Sequence, residues 1–188
     1  DLKVKEIGEE AARRAGELLG AKTISPQKLP LVLDPLVGAQ ILGALSPILS
    51  AESAQKGKSL FADKIGRSVG SSILILIDNG KLEKGVASAP FDDEGTSSQE
   101  TILIENGVLK SFLFNSYTAA KGKTRSTGNA KRTSYKSLPE VAPTNIYIKP
   151  GEISFPDCRK GLYITRVMGM HMVNPISGDF SIGAAGIM

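Results

Sequence analysis

Histidine is almost missing from this sequence: His171 is the only one in 188 residues. A zinc-protease helix needs two imidazoles on one face together with a glutamate, and a catalytic zinc usually takes three protein ligands. Neither arrangement can be built here. Cysteine is as scarce, since Cys158 stands alone. That excludes an internal disulfide and fits a reducing compartment, so the cytoplasm is the expected location. Nothing near Cys158 marks its thiol as activated, so a structural thiol is expected rather than a Cys158–His171 nucleophile pair. His171 is expected to be packed or hydrogen-bonded in the 168–172 loop. A G-x-S-x-G elbow, a G-x-G-x-x-G turn and a Walker loop are all lacking, which leaves neither Ser–His catalysis nor a nucleotide site supported. Tryptophan is absent and aromatics make up 5% of the chain, so positions on which bases could stack are few.

Long apolar runs are missing too. The longest mainly apolar stretch, residues 29–49 (LPLVLDPLVGAQILGALSPIL), contains Asp34, Gln40 and three prolines, which excludes a simple membrane span. No charged start followed by an apolar core and a small-residue cleavage site occurs, so a secretory signal is not expected. What remains is ordinary globular material, 41% hydrophobic and 22% charged, long enough for one substantial core. The sequence opens at Asp1 and ends inside the apolar run SIGAAGIM, so a fragment cut at both ends is expected. The formal charge of +4 is mild, but seven Lys or Arg and no acid fall between Val108 and Pro139. Such a stretch can face phosphates or peptide carboxylates; a solvated basic loop is the plainer explanation.

Helical spacing dominates the first part of the chain. In 2–19, Val4, Ile7, Ala11, Ala15 and Leu18 recur three or four apart, with Glu9–Arg13 and Glu10–Arg14 as i,i+4 pairs and Gly20 as the stop. After a linker between Pro26 and Pro30, Leu31-Val32-Leu33 reads as a short buried strand. Asp34-Pro35 then supplies an N-cap and first helical residue for a helix reaching about Ser46, before Pro47. Phe61, Ile65 and Val69 suggest a second short helix over 60–69. Beyond Gly70 the texture turns to alternation and glycine turns. Ile75-Leu76-Ile77-Asp78-Asn79-Gly80 and Ile102-Leu103-Ile104-Glu105-Asn106-Gly107 are near copies, each a β-rich run closed by Asn-Gly. In the second copy a two-residue loop would pair Ile104 with Leu109 and Ile102 with Ser111, leaving Leu103 and Lys110 on the opposite face. Further strands are expected over 145–149, 162–167 and 180–184. The expected class is α+β, helices first and then a mainly antiparallel sheet domain with hairpins.

Two stretches invite chemistry. Asp92-Asp93-Glu94-Gly95 could be a carboxylate cluster, but with no partner ligands a turn with Asx hydrogen bonds is the simpler reading. Ser126-Thr127-Gly128-Asn129, close to Lys131 and Arg132, combines hydroxyls and an amide that could hold a carboxylate or a peptide backbone; an ordinary polar loop is the alternative.

Six blocks in order carry a resemblance: Phe91-Asp92-Asp93-Glu94-Gly95, the 103–110 hairpin, Ser116-Tyr117-Thr118-Ala119, Ser126-Thr127-Gly128-Asn129-Ala130, Pro143-Thr144-Asn145 and VNPISGDFS from Val173 to Ser181. From about Leu31 to the end the chain resembles the TldD/PmbA family, also called modulators of DNA gyrase. The resemblance implies residues 1–28 as helix and linker left from a preceding region, and 29–188 as the family's carboxy-terminal domain, truncated at its end. The family holds two kinds of subunit. TldD is a zinc metallopeptidase with an H-E-x-x-x-H helix, and PmbA, also called TldE, lacks that motif and assembles with it. On this pattern Gly43, Ala44 and Ile48 stand where the first histidine, the glutamate and the second histidine would be, and the blocks around Phe91 and Val173 look closer to PmbA. The resemblance therefore implies a non-catalytic subunit with no cofactor of its own. Its partner would be a TldD-like zinc peptidase or a second copy of itself, and its substrate an unfolded or modified peptide. Asp93, Glu94, Gly95, Ser126, Thr127, Gly128, Asn129 and Arg132 are the candidate substrate-binding residues. The alternative is a nucleic-acid or gyrase-associated binding module, and a self-sufficient hydrolase with an unrecognised site is a third reading.

Overall fold

The computed structural model describes residues 3–17, 19–151 and 161–188; Leu18 and Cys158 lie outside the described residues. The opening helix, α1 (Val4–Gly16), is shorter than its spacing predicts, and Gly20 takes a left-handed conformation four residues beyond its end. Its surface is laced by ion pairs, Lys5–Glu9 at 3.8 Å, Arg14–Glu10 at 2.6 Å and Arg13 with both Glu10 and Glu17. No residue of α1 is buried. Arg14 reaches across to Asp34 at 3.2 Å, linking α1 to the body of the fold.

Asp34 caps α2 (Pro35–Leu45) as its sequence position dictates, accepting the Leu36 N–H at 3.0 Å, with Pro35 in the first turn. Tyr163 also donates its hydroxyl to Asp34. Burial drives the Asp34 carboxyl toward a higher pKa, but the Leu36 N–H, Tyr163 and Arg14 outweigh it and hold the group below its ordinary value. The helix gives way at Ser46 to a 3₁₀ turn (Ser46–Leu49), and α3 (Ala51–Gln55) follows. The strand before α2, β1 (Leu31–Leu33), is not buried: it is the outer strand of a sheet ordered β1-β8-β9, and Leu31 and Leu33 face solvent. Here β8 is Leu162–Met168, parallel to β1 and antiparallel to β9 (Gly183–Ile187). That last strand begins three residues later than expected.

The main sheet is antiparallel and ordered β4-β3-β2-β7, with β2 at Leu76–Asn79, β3 at Glu100–Glu105, β4 at Val108–Leu109 and β7 at Ile146–Ile148. The two near-copy runs are thus neighbouring strands that pair with each other. The second Asn-Gly closes a two-residue hairpin with Ile104 opposite Leu109, as expected. Asn106 and Gly107 have φ of 50° and 76°, the double left-handed turn that such a loop requires. Ile102 does not reach Ser111. It faces Ile77 of β2, and Leu103 is an extra residue between the Leu76–Ile104 and Ile77–Ile102 pairs, a bulge whose carbonyl accepts Lys110 N–H at 2.8 Å. The bulge lets Leu103 and Ile104 both be buried, against simple alternation. They join Leu76, Leu109, Phe112 and Leu113 in the core, with Leu49 and Ala51 packed from the helical side.

The first Asn-Gly makes no hairpin, because Asn79 stays in the strand and neither it nor Gly80 adopts positive φ. The chain instead leaves on a long excursion, 80–99, before returning as β3. The base of this excursion is pinned by Gly80 N–H to Gln99 O at 3.1 Å and Ala89 N–H to Gly80 O at 3.1 Å. Asn145 clasps its interior, donating to Asn79 O and accepting from Ala87 N–H, while Val86 stands fully in solvent. The helix expected over 60–69 is also absent. Asp63 and Gly66 take left-handed φ of 58° and 79°, and the N–H groups of Gly66 and Val69 bond to Leu109 and Gly107 rather than back along a helical ladder. His171, in a short 3₁₀ turn (Met170–Met172), is exposed rather than packed, with no side-chain hydrogen bond among the described residues. Among the described residues no helix is long and apolar enough to cross a membrane.

Candidate functional site

The acids at 92–94 and the 126–132 loop, distant in sequence, form one unit. Asp92 builds an Asx turn, its Oδ1 accepting the N–H groups of Glu94 at 3.0 Å and Thr96 at 2.9 Å, and its Oδ2 accepts Ala130 N–H at 3.0 Å. Asp93 accepts Arg132 N–H at 2.7 Å, and its own N–H donates to Ala130 O at 3.1 Å. Glu94 reaches Ser116 N–H at 2.8 Å, at the first turn of α4 (Ser116–Lys121). There its negative charge lies at the N-terminal end of the helix, beside the Asn115 side chain that caps Thr118 N–H. Each acid therefore has a local backbone partner. The strand pair β5 (Ala130–Lys131) and β6 (Glu140–Val141) closes the far side of this unit.

Beneath the acids the loop is buried. Thr127 Oγ1 accepts Phe114 N–H at 2.7 Å and lies 2.6 Å from Asn129 Oδ1. Ser126 Oγ donates to Phe114 O at 3.1 Å and accepts Gly128 N–H at 3.2 Å. Gly128 has φ of 72°, and a Cβ there would stand 2.7 Å from Ser97 O, so the position admits only glycine. Asn129 donates to Asp78 Oδ2 at 2.7 Å and to Ala142 O at 3.1 Å. Asp78 is 1% exposed and also accepts Thr144 N–H at 2.8 Å and Thr144 Oγ1 at 2.9 Å. Burial pushes its carboxyl above the ordinary value against these hydrogen bonds, which pull it down.

The eight candidate residues thus divide by exposure. Asp93, Glu94, Gly95 and Arg132 are exposed, Ser126 is half-buried, and Thr127, Gly128 and Asn129 are buried beneath them. The Arg132 guanidinium donates to Ser137 O. Asp78 and Thr144, which the sequence reading left out of the site, hold its floor. The signal for Asp78 was an acid directly after the apolar run ILILI, masked by the Asn-Gly that follows it.

Comparison with known proteins places the architecture. A model of the PmbA/TldA metallopeptidase C-terminal domain matches residues 26–188. The chain belongs to the PmbA/TldD family. An uncharacterised protein of Methanocaldococcus jannaschii is 40% identical over 95% of this chain and 43% of its own length. Among solved structures, a Thermotoga maritima protein described as a candidate modulator of a DNA gyrase superimposes with a TM-score of 0.90 at 39% identity, over 99% of this chain and 43% of that one. TldE from Thermococcus kodakarensis gives a TM-score of 0.72 at 28% identity, over 87% of this chain and 38% of that one. The chain therefore spans less than half the length of these PmbA/TldD relatives.

Gly43, Ala44 and Ile48, the positions that the resemblance sets against the H-E-x-x-x-H motif, do not carry side chains that fit a zinc ion. Gly43 and Ala44 lie in the last turn of α2, and Ile48 sits in the 3₁₀ turn, 4% exposed. None offers a lone pair to a metal or a base to a water. Among the described residues no group of three or more His, Cys, Asp and Glu gathers elsewhere.

Proposed function

We propose that the chain is the carboxy-terminal domain of a PmbA/TldE-like, non-catalytic subunit that completes a peptide groove for a TldD-like zinc peptidase. What supports this reading is the chemistry of Gly43, Ala44 and Ile48, a glycine and two aliphatic side chains at the positions that the resemblance sets against H-E-x-x-x-H. In this reading Asp93, Glu94, Gly95 and Arg132 face an unfolded or modified peptide, and Ser126, Thr127, Gly128 and Asn129 hold that rim in shape from below. The domain boundary near residue 29 and the partner, a TldD-like subunit or a second copy, belong to the same proposal. The test is to mix the protein with a family member that retains H-E-x-x-x-H and follow cleavage of an unstructured peptide. A gain over the partner alone is expected; no gain and no co-purification would sink the reading. After metal removal and add-back, the protein alone should hold far less than one zinc per chain, and stoichiometric zinc would contradict the assignment of those three positions.

A second reading, nucleic-acid binding, draws on Lys121, Lys123, Arg125, Lys131, Arg132 and Lys136, exposed and without a carboxylate in ion-pair distance among the described residues. Affinity for DNA that falls steeply as salt rises would favour it, and absent binding at low salt would remove it.

A further inference from the structure

A cavity of about 530 Å³ opens beside the candidate site, between α3, the 60–69 segment and the end of α4. Its lining is mixed: Phe112, Phe114, Ile65 and the small residues of α3 supply apolar wall, and polar atoms supply nearly as much of the surface. Among the described lining residues, Gln55 and Asp63 alone carry polar side chains. Gln55 turns its amide NH₂ to Thr118 O at 2.8 Å, which leaves its carbonyl oxygen without a described partner. Asp63 is exposed, with no hydrogen bond or ion pair among the described residues. Lys64, Lys121 and Lys123 neighbour this lining in sequence but are not part of it.

The described lining side chains thus combine phenyl rings and aliphatic wall with two hydrogen-bond acceptors, one of them charged, and a single amide donor group that already gives one hydrogen to Thr118 O. That is the complement of a long cationic side chain. An aliphatic stem lies along apolar wall, a cation is attracted to the faces of aromatic rings, and its head pairs with a carboxylate. The cavity also shares a residue with the candidate groove: the Phe114 ring lines it while the Phe114 backbone is held by Ser126 and Thr127. We propose that this cavity takes a lysine or arginine side chain of the bound peptide, with the head group at Asp63. The inference rests on the peptide-groove reading and adds to it the class of side chain that the groove selects.

The test is a binding titration of the full chain with acetylated, amidated, unstructured peptides that differ at one central residue: Lys, Arg, norleucine or Glu. The formal charge of +4 works against a cationic peptide, so a preference for Lys over norleucine cannot be a bulk charge effect. Lys and Arg peptides are expected to bind about fivefold tighter than norleucine at low salt, with the advantage shrinking as salt rises. Asp63→Asn should abolish the preference while the fold is kept, because asparagine accepts the left-handed φ of 58° as readily as aspartate. Equal binding of the Lys and norleucine peptides, or a preference unchanged in Asp63→Asn, would overturn the cavity assignment and leave the peptide reading standing. No binding by any of the four peptides would overturn both.

Discussion

The runs Ile75 to Gly80 and Ile102 to Gly107 differ chiefly at one place, Asp78 against Glu105, and their acids live in opposite surroundings. Asp78 is enclosed and accepts three hydrogen bonds from Asn129 and Thr144, whereas Glu105 sits at the mouth of the hairpin with Lys110 at 3.2 Å. Their Asn-Gly pairs diverge as well: one bends into a tight turn with two left-handed residues, while in the other Asn79 is the last residue of the strand and Gly80 leads away from it. The backbone pattern specifies strand in both cases. What differs is the company that each strand end keeps. Glu105 answers to its own hairpin, while Asp78 is recruited by two segments that arrive much later in the chain. A buried carboxylate that accepts three hydrogen bonds from two distant segments fixes their relative position, which a surface ion pair cannot do.

Removing each acid is the most direct way to break this contrast. Asp78→Ala leaves the Thr144 donors and one Asn129 hydrogen unpaired in a buried place, and is expected to cost about 3 kcal/mol in a urea titration. The same variant carries a pH signature. Because the Asp78 carboxyl is raised above its ordinary 3.8, the folded chain keeps that proton to a higher pH than the unfolded chain does. Its contribution to stability is therefore largest at low pH and declines as pH rises through the interval between the unfolded and folded values. The stability gap between wild type and Asp78→Ala should narrow as pH is raised from about 3.8, and a widening gap would contradict the assignment. Next in size is Gly107→Ala, expected to cost about 2 kcal/mol, since it combines positive φ with a Cβ 2.5 Å from the carbonyl oxygens of Gly70 and Ser71. Gly80→Ala should cost less, about 1.5 kcal/mol, because its φ is ordinary and the clash is with the Ser98 Cβ at 2.9 Å alone rather than with two backbone carbonyls. Smallest is Glu105→Ala, within about 0.5 kcal/mol by thermal denaturation; a loss matching that of Asp78→Ala would erase the distinction between the two ends.

Local chemistry explains which parts of this architecture could be read from the chain. The Asp34-Pro35 start of α2 and the Asn106-Gly107 turn depend on residues within a few positions of each other, and both formed where the sequence put them. Strands β7 and β8 followed from short apolar runs. The helix expected over 60–69 failed because the N–H groups of Gly66 and Val69 found acceptors at Leu109 and Gly107 of the β3–β4 hairpin, a tertiary choice that spacing alone does not reveal. Helix α4 was missed although its signal was present: Asn115 and Thr118 cap each other reciprocally at its start. At the candidate site, the cohesion of the acids with the 126–132 loop was beyond reach. Asp78 is separated from Asn129 by 51 positions and from Thr144 by 66, and burial of a charged side chain is settled by such distant partners.

The excursion over 80–99 joins β2 to β3. Its two feet are already bonded to each other, its tip projects into solvent at Val86, and β2 and β3 hold together without it. A protease cut at Val86, or new amino and carboxy termini engineered there, would separate the polypeptide without separating the sheet. The two pieces, produced as independent chains, should find each other and reassemble.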